Sequence, residues 1–129
     1  MRRPAERERG SFSLELAVLA PALLVLIAFI ISVGRVTEGR ALAQGAARDA
    51  ARAATINHNG SAAARQAAQA AFSSATNGMN CRPLQLTPGV ITPDVQVVAT
   101  VSCRVTTMWG PVTVERTAFS VTDRYRGTD

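Results

Sequence analysis

The feature that most constrains this chain is an apolar run near its N-terminus. Every residue from Leu16 to Ile31 is apolar, and three further uncharged residues extend the run to nineteen before Arg35 ends it. A helix of this length spans about 28 Å, close to the hydrocarbon thickness of a bilayer. A buried core helix would need surrounding apolar elements that the rest of the chain does not supply. We therefore predict a single membrane span over residues 11–34.

A cleaved secretory signal peptide is the main alternative for this run. Arg2 and Arg3 precede it, and Ala41-Leu42-Ala43 resembles a small-residue cleavage site. However, the run exceeds the roughly 7 to 15 apolar residues typical of such peptides, and charged residues separate it from the candidate cleavage site. Under this alternative the mature protein would be a secreted domain that begins near Gln44.

Composition limits the rest of the chain to one small domain. At 129 residues there is no room for two well-filled cores beside a membrane span. All 14 basic residues are arginine and the net charge is +5, but the arginines are scattered and few aromatic residues accompany them. We therefore expect no nucleic-acid partner.

Catalysis is not indicated either. The one histidine, His58, lies in a polar turn, and Asp94, Glu115 and Asp123 are dispersed over the C-terminal region. The chain has no glycine-rich phosphate loop. Two cysteines and one histidine are too few for the usual four ligands of a structural zinc site. We predict a protein without enzymatic activity, cofactor or metal.

The membrane run is expected to continue as an extracytoplasmic helix over residues 35–56. Leu14 to Ile56 then form one long helix, and Pro21 is expected to kink its membrane part. A polar stripe recurs every four residues beyond the membrane, at Arg40, Gln44, Arg48 and Arg52. Alanines fill the other faces. They favour either the close approach of another helix or simply helix formation.

The remaining residues, 57–129, predict a small extracytoplasmic domain. Asn57-His58-Asn59-Gly60 interrupts the first helix, and Ser61 is a candidate N-cap. Ala62 to about Ala75 then predict a second, shorter helix.

Strands follow this second helix, and the fold class is therefore α+β. Period-two alternation predicts strands over Val95–Val105 and Val112–Val121, with a turn at Trp109-Gly110-Pro111. Leu84–Leu86 or Val90–Ile91 is a candidate third strand. We expect a small antiparallel sheet, either a hairpin or three strands.

The two cysteines, Cys81 and Cys103, are candidates for a disulfide. It would close a loop of 21 intervening residues and stabilise the domain by about 3 kcal/mol. Such a bond requires an oxidising, extracytoplasmic compartment. A pair of buried, unpaired thiols is the alternative.

The junction before the apolar run has a more specific pattern. A short basic leader, residues 1–10, ends at Gly10, and Glu15 follows five residues later at the head of the apolar helix. This pattern resembles the processing site of type IV prepilins and pseudopilins, which a membrane prepilin peptidase cuts after the glycine. The resemblance implies cleavage between Gly10 and Ser11. Removing ten residues from 129 leaves a mature chain of 119.

The residues beyond Glu15 point to a more specific family. Three features over about residues 9–54 are similar to the TadE-like family of tight-adherence pilus assembly proteins: Glu15-Leu-Ala-Val-Leu-Ala-Pro21, Gly34-Arg35, and the Ala-Ala-Arg triplets ending at Arg48 and Arg52. The chain differs from the short major Flp pilins, which typically carry tyrosine where Leu16 stands. The resemblance therefore implies a minor pseudopilin.

The resemblance also implies a role for Glu15. A carboxylate within lipid costs about 2.5 kcal/mol or more. In pilin assemblies this glutamate is thought to pair with the new N-terminal amine of a neighbouring subunit, which would offset that cost and fix the axial register of packed helices. Alternatively, Glu15 lies at the headgroup level near Arg7 and Arg9.

Together these expectations describe a single-pass, non-enzymatic pseudopilin in the cell membrane. Because the peptidase acts at the cytoplasmic face, the leader is expected inside and the C-terminal domain outside. Expected partners are membrane lipid, prepilin peptidase, other pilins or pseudopilins, and pilus assembly platform proteins. The alternative is an uncleaved single-pass anchor that presents a small extracytoplasmic binding domain.

Overall fold

A computed structural model describes residues 8–56, 60–92 and 94–122, with side chains from residue 13 onward. Two helices are followed by four strands: α1 (Glu8–Ile56), α2 (Ser61–Ala75), β1 (Asn80–Cys81), β2 (Gln85–Thr87), β3 (Gln96–Thr107) and β4 (Gly110–Val121). This order confirms the predicted α+β fold of a long apolar helix, a short helix and a small antiparallel sheet. Most of the leader, the interruption at residues 57–59 with His58, and Asp123 lie outside the described residues.

The chain divides into two compact units, Met1–Gly34 and Arg35–Asp129. We call them the N-terminal unit and the C-terminal unit. α1 contributes its first part to the N-terminal unit and its remainder to the C-terminal unit. The extension predicted over residues 35–56 thus belongs to the same compact unit as the sheet.

The sheet of the C-terminal unit is built around β3. β4 pairs with β3 antiparallel along its whole length, from Gln96 opposite Val121 to Thr107 opposite Gly110. On the other edge of β3, β1 pairs antiparallel with Cys103 and Arg104, and β2 pairs antiparallel with residues 98–100. The sheet is therefore three strands wide, with one edge made of two short pieces.

Several element boundaries differ from the predictions. Ser61 is the first helical residue of α2 and Gly60 is its N-cap, without a side-chain capping bond, so the predicted Ser61 cap is wrong by one position. The turn between β3 and β4 is Met108–Trp109, because Pro111 already lies in β4 opposite Thr106. Gly110 closes this turn with a φ of 124°, a conformation that favours glycine.

The third strand falls at the first of the two predicted locations. β2 overlaps the candidate Leu84–Leu86, whereas Val90–Ile91 lies in irregular structure. β1 was not anticipated, because a two-residue strand is too short to show alternation.

The core lies between α1, α2 and one face of the sheet. Six alanines of α1 are at most 1% exposed: Ala43, Ala46, Ala47, Ala50, Ala51 and Ala54. They pack in one cluster with Phe72 of α2 and with inward residues of β3 such as Val97 and Val101. The alanine faces of α1 are therefore used inside the C-terminal unit, where their small side chains let the helix lie close to the sheet.

Candidate assembly site on the N-terminal helix

The predicted processing site lies at the start of α1. Gly10 and Ser11 are within the first turn of this helix, and the helix continues through Pro21 to Ile56. Proline has no N–H to donate to the carbonyl of Ala17, four residues earlier, which removes one bond from the helical ladder. The predicted kink at Pro21 stays a prediction.

Glu15 is an exposed carboxylate in an apolar surrounding. Its sequence neighbours Leu14 and Leu16 are 72% and 60% exposed. Because residues four apart share one face of a helix, the backbone places Ser11 and Glu15 on the same side, about 6 Å apart along the axis. Arg35, the next basic residue in the sequence, is about 30 Å further along the helix.

The apolar side chains of the N-terminal unit are exposed on every face of α1. Successive residues project at about 100° intervals around a helix, and nearly all of them are apolar here. Thirteen large apolar residues are 49% exposed or more: Leu14, Leu16, Val18, Leu19, Leu23, Leu24, Val25, Leu26, Ile27, Phe29, Ile30, Ile31 and Val33. Among the described residues, α1 is the one helix long and apolar enough to cross a membrane. Its exposed surface matches the hydrocarbon of a lipid bilayer.

The hydroxyl of Ser32, near the end of the apolar run, makes its hydrogen bond within the helix. Ser32 Oγ donates a hydrogen bond of 2.9 Å to the carbonyl oxygen of Ala28. A polar group that is bonded within its own helix needs no water, which makes it compatible with lipid.

The two cysteines are joined in the C-terminal unit. Cys81 of β1 lies directly opposite Cys103 of β3, with their Cα atoms 3.9 Å apart and their sulfurs bonded at 2.02 Å. Cys103 is 1% exposed and faces the core. The bond ties the short strand β1 to the central strand, and it uses both cysteines of the chain.

Two of the three carboxylates considered for catalysis, Asp94 and Glu115, are described by the structure and are not brought together. Asp94 precedes Val95, which exchanges hydrogen bonds with Thr122 just beyond the end of β4. Glu115 lies in the middle of β4, opposite Ser102, about 20 Å along the strand from that point. Within the described part of the chain no group of metal-ligating side chains occurs.

Two features of the C-terminal unit were missed by sequence reasoning. Gly39, to which the sequence analysis assigned no role, packs its backbone against Val105 of β3. Met108, which was not assigned a role, and Trp109, which was predicted only as part of a turn, present two large apolar side chains to solvent. The helix and strand periodicities could not reveal either feature, because both depend on which residues meet in three dimensions.

The comparison with known families agrees with the sequence resemblance. A family model described as TadE-like protein matches residues 10–52 of the chain. The matched segment contains Gly10, Glu15 and Pro21, together with most of the alanine-rich part of α1, and it confirms the resemblance over this segment. No curated protein and no solved structure matches the chain.

Proposed function

We propose that this chain, whose residues 10–52 match the TadE-like family model, is a minor pseudopilin: a membrane-anchored, non-enzymatic component in the assembly of a tight-adherence pilus or a related secretion fibre. The observation that carries this proposal is the apolar helix surface over residues 13–34, in which Glu15 is the one ionisable side chain.

The anchoring part of the proposal rests on the exposure of the N-terminal unit. Burial of apolar side chains contributes about 25 cal/mol per Å² removed from water, so thirteen exposed large residues would be strongly unfavourable in water. Lipid, or the equally apolar helices of other pilins, removes this cost. The helix thus serves first as a single-pass anchor and then as the packing surface of an assembled fibre.

The assembly part rests on the spacing of Ser11 and Glu15. Cleavage after Gly10 by a prepilin peptidase gives Ser11 a free ammonium group one turn before Glu15. When two copies, or this chain and another pilin, pack side by side, an axial offset of about 6 Å brings the ammonium of one subunit level with the carboxylate of the next. The pairing of opposite charges offsets the cost of holding each in lipid. It therefore sets the axial register of the helices.

The orientation follows from the processing step and is supported by the disulfide. The peptidase acts at the cytoplasmic face, which places the leader inside and the C-terminal unit outside. The bond between Cys81 and Cys103 suits an oxidising, extracytoplasmic compartment.

The packing of the C-terminal unit argues against a secreted domain that begins near Gln44. Such processing would remove Gly39, which contacts Val105, and Ala43, which is 0% exposed in the core. It would thereby take away one end of the helix that covers the sheet.

Analysis of the N-terminus tests the proposal. The full chain is produced in cells with and without an active prepilin peptidase, extracted from membranes, and examined by intact mass and N-terminal sequencing. We expect Ser11 as the first residue only where the peptidase is active, and no cleavage of a Gly10→Val variant. Retention of Met1 in peptidase-containing cells would instead support the uncleaved anchor. A start near Gln44 would support the secreted domain.

A further inference from the structure

The turn between β3 and β4 exposes two large apolar side chains. Met108 is 69% exposed and Trp109 is 73% exposed. Thr107, which is buried, braces this turn: its Oγ1 donates a 2.7 Å hydrogen bond to the carbonyl of Gly110 and accepts a 3.3 Å bond from the Trp109 N–H. The backbone of the turn is therefore held in place while both side chains point away from the core. We call these two residues the hairpin tip.

Contacts within the C-terminal unit place the hairpin tip at the end where α1 enters this unit. Gly39 contacts Val105, and sixteen residues later Thr55 Oγ1 lies 3.0 Å from Ser120 Oγ, whose register partner on β3 is Val97. The helical rise from Gly39 to Thr55 and the strand length from Val105 to Val97 are both about 25 Å. β3 therefore runs along α1 in the opposite direction, towards Arg35.

The hairpin tip lies at the Arg35 end of the C-terminal unit. From Val105 the strand and turn extend about 10 Å to the tip, and Arg35 is about 6 Å from Gly39 along the helix in the same direction. Arg35 is the residue that ends the apolar run in the sequence, and it stands at the outer boundary of the proposed span. The lipid headgroups form a layer of about 5 to 8 Å on each side of the hydrocarbon.

Positive charge accompanies the hairpin tip. Arg35 and Arg104, both exposed, line one groove together with Glu38, and Thr106 at the end of β3 lines it as well. Two guanidinium groups against one carboxylate leave this groove cationic. Arginine favours phosphate because its planar fork can donate two hydrogen bonds at once.

We propose that the hairpin tip inserts into the headgroup layer of the membrane leaflet from which α1 emerges, with Arg35 and Arg104 beside lipid phosphates. Tryptophan is enriched at this depth because its ring is apolar and its N–H is polar, and methionine adds a flexible apolar side chain. The C-terminal unit then has a second attachment to the bilayer besides α1. This inference rests on the membrane anchoring of the proposed function.

The fluorescence of Trp109, the only tryptophan of the chain, tests this inference directly. The full chain is reconstituted into phosphatidylcholine and phosphatidylglycerol vesicles whose acyl chains carry bromine either near the headgroup or near the chain end. We expect blue-shifted emission, protection from acrylamide, and stronger quenching by the shallow bromines than by the deep ones. Emission typical of water, with no quenching by brominated lipid, would overturn the proposal.

A second tryptophan position provides the matched control. Phe119 is 71% exposed, close to the value for Trp109, but it lies next to Ser120 near the far end of the sheet. In the double variant Trp109→Phe and Phe119→Trp, the single tryptophan should be accessible to acrylamide and unquenched by either brominated lipid. Equal quenching at both positions would contradict a specific role of the tip.

The outcomes separate this inference from the proposed function. A chain that does not float with the vesicles would contradict the membrane anchor and the tip contact together. A chain that floats but shows an unquenched Trp109 would contradict the tip contact alone. Blue-shifted emission without quenching by brominated lipid would show that Trp109 is covered by protein instead of lipid. This result would also overturn the proposal.

Discussion

Gly39 of α1 and Val105 of β3 meet so closely that there is no space for a side chain on the helix. A Cβ built on Gly39 would collide with Cγ2 of Val105. Val105 lies near the end of a strand that is fully paired with β4, so the strand cannot easily move away. This contact sets the distance between α1 and the sheet at the end of the C-terminal unit that adjoins the apolar run.

The substitution Gly39→Ala should therefore destabilise the C-terminal unit. Forcing an extra methyl group into a packed contact costs about 1 to 3 kcal/mol, which exceeds the gain of up to about 1 kcal/mol from alanine's better helix propensity. Amide hydrogen exchange of β3 in the full chain, in detergent micelles, measures the change in the free energy of unfolding.

Gly45→Ala is the matched control for this prediction. Gly45 is also inside α1, but it is exposed and a Cβ there meets no atom within 4 Å. Alanine's better helix propensity is then the only effect of the substitution. We expect the protection of β3 from hydrogen exchange to be unchanged or slightly increased. Similar effects of the two substitutions would show that the Gly39 contact does not control packing.

The disulfide should stabilise the C-terminal unit through the loop that it closes. Cys81 and Cys103 are 22 residues apart in sequence, and closing a loop of this length contributes about 3 kcal/mol. We expect reduction to lower the unfolding midpoint in denaturant, and the double variant Cys81→Ala and Cys103→Ala to match the reduced protein. Alkylation of the oxidised, denatured chain should label no thiol. The chain alkylated after reduction should be heavier, by two labels, than the chain alkylated without reduction. Equal masses of these two samples would contradict the bond.

The burial pattern of the sheet predicts a large effect of one substitution in β3 and a small effect of the same substitution in β4. Val101 is 0% exposed and faces the core, whereas Val121, at the end of β4, is 60% exposed. Threonine has nearly the same shape as valine, so Val101→Thr mainly buries a hydroxyl and should cost about 1 to 3 kcal/mol. Val121→Thr should change the free energy of unfolding by less than about 0.5 kcal/mol. Thermal denaturation followed by circular dichroism compares the two, and equal losses would contradict the burial of Val101 and the exposure of Val121.

Replacement of Glu15 tests its role in assembly. The variant Glu15→Ala should still insert in the membrane, because removing a carboxylate from an apolar helix favours insertion. It should co-assemble poorly, however, because the Ser11 ammonium of a neighbouring subunit then lies in lipid without a partner. A loss of 1.4 kcal/mol already corresponds to about a tenfold reduction in association. Co-purification with other pilus components measures this reduction.

Leu16→Ala is a suitable control for Glu15→Ala. Leu16 is adjacent, 60% exposed and on the same turn, but it carries no charge. We expect this variant to be processed and to assemble much like the unmodified chain. Normal assembly of Glu15→Ala would remove the electrostatic account of the residue.

Much of the fold was predictable because its signals are local. The long run from Leu16 to Ile31 predicts a helix from composition and length, and the alternation in Val95–Val105 predicts β3 to within about two residues. The boundaries were less accurate where the decisive interaction is distant. The start of β4 at Gly110, for example, depends on its pairing with Thr107 rather than on its own propensity.

The residues of the candidate assembly site could be proposed from the sequence because their spacing is also local. Gly10, Glu15 and Pro21 lie on one helix, so their spacing along the chain already gives their spacing in space. The hairpin tip was not accessible in this way. Its distance from Arg35 depends on the pairing of β3 with β4 and on the packing of α1 against the sheet.

A long apolar helix, Glu15 near its start, and the α+β order of the residues that follow were evident from the sequence alone. These properties depend on neighbours within a few residues of one another. The tertiary structure alone decided that the alanines of α1 cover its own sheet, that Gly39 meets Val105, and that Trp109 lies at the Arg35 end. Such contacts join residues tens of positions apart, and their free energy comes from burial and pairing that no local pattern contains.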